Sequence, residues 1–218
     1  MKNEKITKEI VLIDKPKGIT SFDVIRQLRK KYGIKKMGHS GTLDPLATGL
    51  MIIGIGEGTK KLTKFIKLPK VYESIVLLGK ETTTGDIAGE TLKEVKIQSL
   101  DIKKIKKTLN EMVGKIILAV PLYSAVKISG KPLYKLARAG KKVKPPKKEM
   151  EIFWIKLLDH FKKNHYYFLK LELKVKSGTY IRSIAKEIGK RLGLPATVKE
   201  LRRLKIGNFS LKDAHPLN

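Results

Sequence analysis

The order of strand-like and helix-like segments limits the fold of this chain more than any other feature of its sequence. Apolar spacing distinguishes the two kinds of segment. Strand patterns occupy 10–13, 50–55, 72–78, 116–120, 151–161 and 166–175, and helical patterns run from Thr20 to Gly33, from Asp101 to Gly114 and from Tyr180 to about Leu192. Three helices are too few to connect six strands by the regular crossovers of a doubly wound parallel sheet. The order therefore predicts an α+β fold, with a largely antiparallel mixed sheet flanked by helices.

The net charge indicates what kind of partner the chain binds. The 218 residues include 48 Lys and Arg against 20 Asp and Glu, which gives a formal net charge of +28. A surplus of this size points to a polyanion, most often a nucleic acid and sometimes an anionic membrane surface. All but seven of the basic residues are Lys, and exposed lysines also accumulate through genome composition. The charge therefore suggests a class of partner and no chemistry. The length suits one sizeable core or at most two small ones, and we expect a single domain over residues 1–218.

Several classes of protein are excluded by what the sequence lacks. It has no Cys, which removes disulfides and thiolate metal sites. Its four His residues lack the spacing of metal ligands, so we expect no zinc site. The glycine-rich stretch 54–60 matches neither of the common phosphate-binding loop patterns. The longest apolar run, residues 50–55, is too short to cross a bilayer, and residues 1–5 lead into no signal peptide. These features predict a cytoplasmic protein.

The stretch Gly38–Leu50 is a loop rich in Gly and small polar residues that runs directly into a strand. Asp44 lies in its middle, and the ring of Pro45 biases Asp44 toward an extended backbone. An isolated Asp in a loop most often forms a turn or caps a helix. Catalytic groups favour loops on rigid scaffolds, so a catalytic Asp44 is the second interpretation.

Arg182 occupies an unusual position for a cation. Thr179 fits a helix N-cap, which places Arg182 in the first turn of the following helix. A cation there faces the positive end of the helix dipole, at a cost of up to about 1 kcal/mol. Either Arg182 is exposed and turns toward solvent, or it is directed at a carboxylate as a bidentate partner.

Residues 127–148 differ from the rest of the chain. They contain many Lys, three Pro and only a short helical piece near residues 133–138. This composition predicts a mobile basic excursion from the core rather than a separate domain. It suits a solvated loop and a loop that grips a nucleic acid equally well.

Several stretches together resemble the motifs of one enzyme family. Gly38–Leu50 contains the run Gly-Thr-Leu-Asp-Pro-Leu-Ala-Thr-Gly, which is similar to the active-site motif of the TruB-type tRNA pseudouridine synthases. Further stretches resemble the other family motifs in the same order, namely Asp14–Ser21, Lys70–Tyr72, Gly79–Asp86, Val120–Lys127, Ser177–Ala185 and Leu201–Arg203. The resemblance spans about residues 10–211.

The resemblance implies a pseudouridine synthase fold and an isomerase that converts uridine into pseudouridine without metal or cofactor. The N1–C1′ bond breaks, the uracil turns, and C5 bonds to C1′. Asp44 matches the nucleophile, which attacks either C1′ of the ribose or C6 of the base. Arg182 matches the cation that keeps this carboxylate ionised, and Asp86 matches the second acid of an Asp–Arg–Asp network.

The same resemblance implies contacts with the RNA. Tyr72 matches a tyrosine that stacks on the uracil, although the strand pattern alone favours an aromatic packed into the core. His39 matches a residue beside the flipped nucleotide. Tyr180 and Leu201 match positions that line the uracil pocket, and Lys15 belongs to a motif that braces the active-site loop.

The implied substrate is uridine 55 in the TΨC loop of tRNA, bound through the T-arm by a monomer, with residues 127–148 as the insertion that grips the arm. Most family members continue into a small C-terminal RNA-binding (PUA-like) domain. The sequence ends at Asn218, so we expect a short form that lacks this domain. Two other functions stay open. One is a tRNA-folding chaperone in which catalysis is secondary, and the other is a synthase relative that depends on a guide RNA.

Overall fold

The computed structural model describes residues 9–141 and 143–217. The strands and helices in these residues are, in chain order, β1 (Ile10–Lys15), α1 (Ser21–Tyr32), β2 (Met37–His39), β3 (Thr48–Ile55), α2 (Leu62–Ile66), β4 (Lys70–Leu78), β5 (Lys80–Thr82), β6 (Thr91–Glu94), α3 (Ile102–Asn110), β7 (Gly114–Ala119), β8 (Lys127–Ile128), β9 (Lys131–Pro132), α4 (Leu133–Arg138), β10 (Lys147–Lys163), β11 (Tyr166–Val175), α5 (Ile181–Leu192), β12 (Ala196–Ile206), β13 (Phe209–Ser210) and β14 (His215–Pro216). None of the described helices is long and apolar enough to span a bilayer.

Contacts divide the chain into two compact units. Unit 1 comprises Met1–Glu73 with Leu201–Asn218, and unit 2 comprises Ser74–Glu200. Strands β4 and β12 contribute residues to both units. The architecture is α+β, built on a large mixed sheet flanked by helices, which confirms the predicted fold class. The expectation of one catalytic domain over residues 1–218 stays a prediction.

In unit 1 the strand order is β14–β1–β3–β12, with β2 on β3 and β13 on β12. Strand β1 is antiparallel to β3, whereas β12 is parallel to β3 and pairs Arg203 with Gly49. The core between strand and helix consists of side chains at most 7% exposed, namely Leu50, Ile52, Leu62 and Ile206. This part of the sheet holds the loop that contains Asp44.

Helix α1 begins and ends where its local sequence predicts. Thr20 Oγ1 accepts a hydrogen bond from the Asp23 amide at 3.1 Å, and the Asp23 carboxylate accepts one from the Thr20 amide at 2.8 Å. This reciprocal pair is a capping box. Gly33, at a φ of 69°, ends the helix in the left-handed conformation that glycine adopts without strain.

In unit 2 the strand order is β12–β4–β11–β10–β7. Strand β10 is antiparallel to both β11 and β7. The odd-numbered residues of β11 from Leu169 to Val175 are at most 1% exposed, and α3 contacts both β10 and α5. The alternation predicted over 166–175 is therefore confirmed, with its apolar side toward the helices.

The structure differs from the predicted elements at several places, of which three bear on the site or the core. Helix α3 ends at Asn110 rather than at Gly114, and two turn hydrogen bonds connect the intervening residues. Met112, which lies in this turn, is nevertheless buried at 1% exposure. Tyr180 is the N-cap of α5 in place of Thr179, and no side chain caps that helix. Strand β12 was not predicted, because its central residues are mostly charged and resemble a surface segment.

The segment 127–148 contains more structure than its composition indicates. The short helix is confirmed as α4, and the hairpin of β8 and β9 precedes it. Leu133, at the start of α4, is fully buried, so the segment is anchored to the rest of unit 2. Residue 142 lies outside the described residues. Whether the lysines of this segment grip RNA stays a prediction.

Candidate active site

The backbone on both sides of Asp44 is held by hydrogen bonds within unit 1. Asp44 lies between β2 and β3 and is half-buried. The Ser21 hydroxyl, at the first position of α1, accepts from the Leu43 amide at 2.8 Å and donates to the Leu43 carbonyl at 3.1 Å. On the other side, the Gly18 amide donates to the Pro45 carbonyl at 2.8 Å. The carboxylate is thus presented by a short, fixed segment rather than by a free loop.

A fully buried arginine holds the two ends of the same loop. Arg203 in β12 is 1% exposed. Its Nε donates to the Leu50 carbonyl at 2.7 Å, and one terminal nitrogen donates to the Gly41 carbonyl at 3.1 Å. Gly49, at a φ of 106°, approaches so closely that a Cβ would lie 2.4 Å from the Arg203 carbonyl oxygen. The Asp44 loop therefore packs against both the main chain and the side chain of Arg203.

Two buried lysines lie in the same unit. Lys15 is fully buried, and its Nζ donates to the carbonyls of Ile19 at 2.6 Å, Pro16 at 2.9 Å and Pro45 at 3.4 Å. Burial lowers the pKa of Lys15 to about 8, Asp44 counteracts this, and Arg203 adds to it. Burial, and then Arg203, also lowers the pKa of Lys70 to about 8. The attraction of Asp44 for Lys15 favours the charged form of the lysine.

The buried lysines predict a pH dependence of stability. The pKa of Lys15 is about 8 in the folded protein and has the ordinary value of 10.5 in the unfolded chain. As the pH rises, Lys15 therefore loses its proton first in the folded protein. The unfolded state therefore binds more protons between these two values, and the free energy of unfolding rises with pH across that window. We expect urea unfolding to show this rise, and Lys15→Met to flatten it.

An exposed lysine provides the control for this pH effect. Deprotonation of any lysine relieves some repulsion in a chain of net charge +28. Lys103, which is exposed at the start of α3, measures that general contribution as Lys103→Met. If Lys15→Met and Lys103→Met change the pH profile equally, the special role of Lys15 is wrong.

His39 lies at the end of β2, directly before the Asp44 loop. Its Nδ1 accepts a hydrogen bond from the Gly41 amide at 3.3 Å. Burial, followed by the charge of Arg203, lowers the pKa of His39 below its usual value. The ring is thus neutral at neutral pH, with its proton on Nε2. Such a ring can contact an RNA backbone by donating from Nε2.

Unit 1 also contains two more of the predicted RNA-contacting positions. Tyr72 in β4 is 8% exposed, and Leu201 in β12 is 9% exposed. Each keeps a small exposed fraction, as expected for the floor of a pocket, but a core aromatic at position 72 has the same exposure. The stacking role of Tyr72 stays a prediction.

Arg182 in unit 2 is buried and directed by backbone carbonyls. It is 6% exposed, and its terminal nitrogens donate to the Thr84 carbonyl at 2.7 Å and the Tyr123 carbonyl at 2.9 Å. The interpretation of Arg182 as an exposed cation is therefore wrong. The carbonyl dipoles offset the unfavourable helix dipole at this position. Tyr180, at the N-cap, is half-buried two residues before it.

Asp86 acts on the turn that holds Arg182. Its Oδ1 accepts from Thr84 Oγ1 at 2.7 Å and from the Ala88 amide at 3.0 Å. The link that the structure gives between Asp86 and Arg182 thus runs through Thr84, whose hydroxyl binds the acid while its carbonyl binds the arginine. The predicted direct Asp–Arg–Asp network stays a prediction.

A cavity of about 380 Å³ lies beside Arg182 in unit 2. Its walls come from the turn 82–85, from residues 117–122 and from the first turns of α5. Two of the stretches with family resemblance, Gly79–Asp86 and Val120–Lys127, therefore meet at Arg182. Among residues 9–141 and 143–217, no three His, Asp or Glu side chains are close enough together to hold a metal ion.

Sequence reasoning did not single out Arg203, and the roles of the predicted site residues stay predictions. The predicted residues fall into two sets, with Asp44, His39, Tyr72 and Leu201 in unit 1 and Arg182, Asp86 and Tyr180 in unit 2. Arg203 follows Arg202 directly, and nothing in the local sequence distinguishes the two. Two signals were available, the motif resemblance of Leu201–Arg203 and the small Gly49, which leaves room for a neighbouring backbone.

Comparison with known proteins identifies the class. The family model described as "TruB family pseudouridylate synthase (N terminal domain)" matches residues 29–181. Two solved structures share the fold over 95% of this chain. One is a chain of the Cbf5-Nop10-Gar1 complex, with a TM-score of 0.73 and 26% identity, and the other is a chain of an H/ACA RNP bound to a substrate RNA, with a TM-score of 0.69 and 23% identity. This chain covers 52% and 50% of their lengths.

Three curated relatives of the chain share one protein name within this class. The chain is 42% identical to a protein of Endomicrobium trichonymphae over 94% of this chain and 87% of that protein. It is 44% identical to one of Fusobacterium nucleatum and 43% identical to one of Aquifex aeolicus, over 93% and 94% of this chain and 69% and 70% of those proteins. All three are named tRNA pseudouridine synthase B. The chain belongs to the TruB family of pseudouridylate synthases.

Proposed function

We propose that the chain isomerises uridine 55 in the TΨC loop of tRNA to pseudouridine. The observation that carries the proposal is the Asp44 loop, which lies inside the matched family segment 29–181 and is fixed from both sides. Relatives at 42–44% identity that are named tRNA pseudouridine synthase B support tRNA as the substrate.

Asp44 is the nucleophile of this reaction. An ionised carboxylate forms a covalent adduct and later leaves, which divides one difficult step into easier ones. The attack is on C1′ of the ribose or on C6 of the base, and both routes end in the same isomer. The N1–C1′ bond breaks, the C5–C1′ bond forms, C5 loses its proton, and N1 gains one. No atom is lost overall, so the reaction consumes no co-reactant.

The buried cations keep the nucleophile in its reactive form. Lys15 and Arg203 lie beneath the loop, and Lys15 attracts the charge of Asp44. Arg182, which is directed by the carbonyls of Thr84 and Tyr123, matches the family's cation that keeps this carboxylate ionised. Asp86 positions Arg182 through Thr84.

The target uridine is taken out of the RNA stack and held by side chains at the positions that match the family's RNA contacts. Tyr72 stacks on the uracil, which is worth about 1–3 kcal/mol and offsets a similar cost of flipping. Tyr180 and Leu201 line the pocket, and His39 donates from Nε2 toward the nucleotide backbone. The basic segment 127–148 grips the T-arm. The enzyme acts as a cytoplasmic monomer, without metal or cofactor.

Release of tritium from C5-labelled uridine tests the function. We expect the protein to release tritium from a T-arm hairpin transcript without any guide RNA, and mapping of pseudouridine to find it at position 55. A hairpin in which that uridine is replaced by cytidine is the control. Absence of release from the hairpin and from whole tRNA contradicts the proposal, and release only after addition of a guide RNA favours the guide-dependent alternative.

A tRNA-refolding assay with the same protein tests the alternative function as a folding chaperone. A chaperone accelerates tRNA refolding without any change in its nucleotides, so refolding without tritium release favours it. The fixed Asp44 loop and the buried Arg182 support catalysis instead, because RNA folding needs neither a shielded carboxylate nor a cation directed by carbonyls.

A further inference from the structure

One face of the hairpin of β10 and β11 is uncovered at Lys156, Asp159, Phe161 and Lys163, which are all exposed. The residues on it are the even-numbered ones of β11 and their partners in β10, which pair as Trp154 with Lys174, Lys156 with Glu172, Asp159 with Lys170, Phe161 with Phe168 and Lys163 with Tyr166. The opposite face consists of the buried odd-numbered residues of β11. We call the uncovered side the outer face.

Two β-bulges place large apolar side chains at the outer face. The register shifts between Ile152 and Trp154 and again between Leu157 and Asp159. The inserted residues are Phe153 and Leu158, which are 42% and 47% exposed. Bulges re-aim side chains and are specific features of a fold rather than defects. The fold therefore exposes Phe153 and Leu158, although the apolar residues Ile152 and Ile155 of the same strand are buried.

Three aromatic rings at or beside the outer face, those of Phe153, Trp154 and Phe168, have a lysine over them, whereas the Tyr166 hydroxyl donates to the acid Glu94. The Nζ of Lys174 lies 5.8 Å from the centre of the Phe153 ring, and that of Lys156 lies 5.3 Å from the Trp154 ring. Lys199 of β12 lies 4.5 Å from the Phe168 ring, on which Phe161 stacks at 4.9 Å. Aromatic planes and ammonium groups thus alternate across the strands.

The chemistry of the outer face fits a strand of nucleic acid. Its lysines are Lys156, Lys163, Lys170, Lys174 and Lys199, against the acids Asp159 and Glu172. We propose that the outer face binds single-stranded RNA, with bases stacked on the exposed aromatic rings and phosphates held by the lysines between them. An aromatic sheet face with interleaved cations provides both groups that single strands need. An uncharged protein partner would have no use for the lysines.

This inference goes beyond the proposed function and does not rest on it. Arg182 lies in the first turn of α5 and contacts the carbonyls of Thr84 and Tyr123, and none of these three residues belongs to the outer face. The two activities can therefore succeed or fail separately. A protein that does not release tritium but still binds RNA at the outer face refutes only the proposed function.

The single tryptophan of the chain, Trp154, reports binding directly. The probe is oligocytidylate of about 12 nucleotides, long enough for one such surface and without a uridine that could be a substrate. We expect titration to quench Trp154 fluorescence. Phe153→Ala and Phe153→Leu should both weaken binding about tenfold, because Leu replaces the apolar volume but not the stacking plane.

Charge-matched variants separate the outer face from the general charge of the protein. Lys156→Gln with Lys174→Gln should lower the slope of log affinity against log salt by about 1.4, since each phosphate contact with a single strand contributes about 0.7. The pair Lys104→Gln and Lys106→Gln removes the same charge from exposed positions of α3 and should leave the slope nearly unchanged. All variants should retain the melting temperature and the turnover of the T-arm hairpin.

Three outcomes would overturn the inference. Oligocytidylate that binds by anisotropy without any change in Trp154 fluorescence binds elsewhere. Wild-type affinity in Phe153→Leu shows that stacking is not involved, and equal loss in both lysine pairs shows unspecific attraction. Quenching of Trp154 by polyglutamate as strong as by RNA assigns the outer face to acidic peptides.

Discussion

Asp44→Asn is expected to lower tritium release from the T-arm hairpin by about 10⁴-fold or more, the usual cost of removing a catalytic nucleophile. The amide has the size of the carboxylate but forms no covalent adduct that can later leave. Hairpin binding should persist, because the loop is held by Ser21, Gly18 and Arg203 through backbone groups that the substitution does not touch. Single-turnover assays with equilibrium binding separate the two effects.

The control for Asp44→Asn is Asp213→Asn, which removes a carboxylate from an exposed position of the same unit. It should retain wild-type turnover. Substantial tritium release by Asp44→Asn would exclude Asp44 as the nucleophile, even though the protein remained a synthase. If Asp44→Asn still accelerates tRNA refolding, the protein has a folding role in addition to catalysis.

Arg203→Met is expected to destabilise the protein by about 3 kcal/mol and to lower turnover with it. The substitution leaves the buried carbonyls of Gly41 and Leu50 without their charged donor, and each such loss costs about 1–3 kcal/mol. Part of the cost is offset, because Arg203 also repels Lys15 and Lys70 and lowers the pKa of both. For a chain of this length, the melting temperature should fall by about 6–12 °C.

Arg202→Met is the matched control, one residue earlier in the same strand. Arg202 is 40% exposed and pairs with Asp14 at 2.6 Å, and an ion pair of this kind contributes about 1 kcal/mol or less. Melting followed by circular dichroism and turnover at a temperature where both variants are folded measure the two effects. Equal losses in the two variants would contradict the role of Arg203 in holding the Asp44 loop.

Much of the local structure could be predicted because its causes are local. The capping box of Thr20 and Asp23 starts α1, and Gly33 ends it, through contacts within four residues. The alternation over 166–175 predicts a strand with one buried side, since a period of two matches the pleat. The composition of Gly38–Leu50 marks a loop before a strand, and Asp44 lies there.

Strand β12 shows where local reasoning fails. It contains a run of Lys, Glu and Arg that suggests an exposed segment, yet it lies between β3 and β4 in the strand orders of the two units. Arg203 is buried because β3, some 153 positions away in the chain, provides the Leu50 carbonyl and the small Gly49 at the register position opposite it. A pairing over such a separation leaves no periodic trace in either segment.

The sequence by itself determined the α+β class, most of the helices and strands, the resemblance to the TruB family and the loop that carries Asp44. The tertiary structure alone decided which of the many cations matter. Arg182, Arg203, Lys15 and Lys70 are buried, whereas most other basic side chains are exposed. Burial depends on strand register and on carbonyls supplied from distant segments. The identity of a charged residue does not show whether those carbonyls surround it.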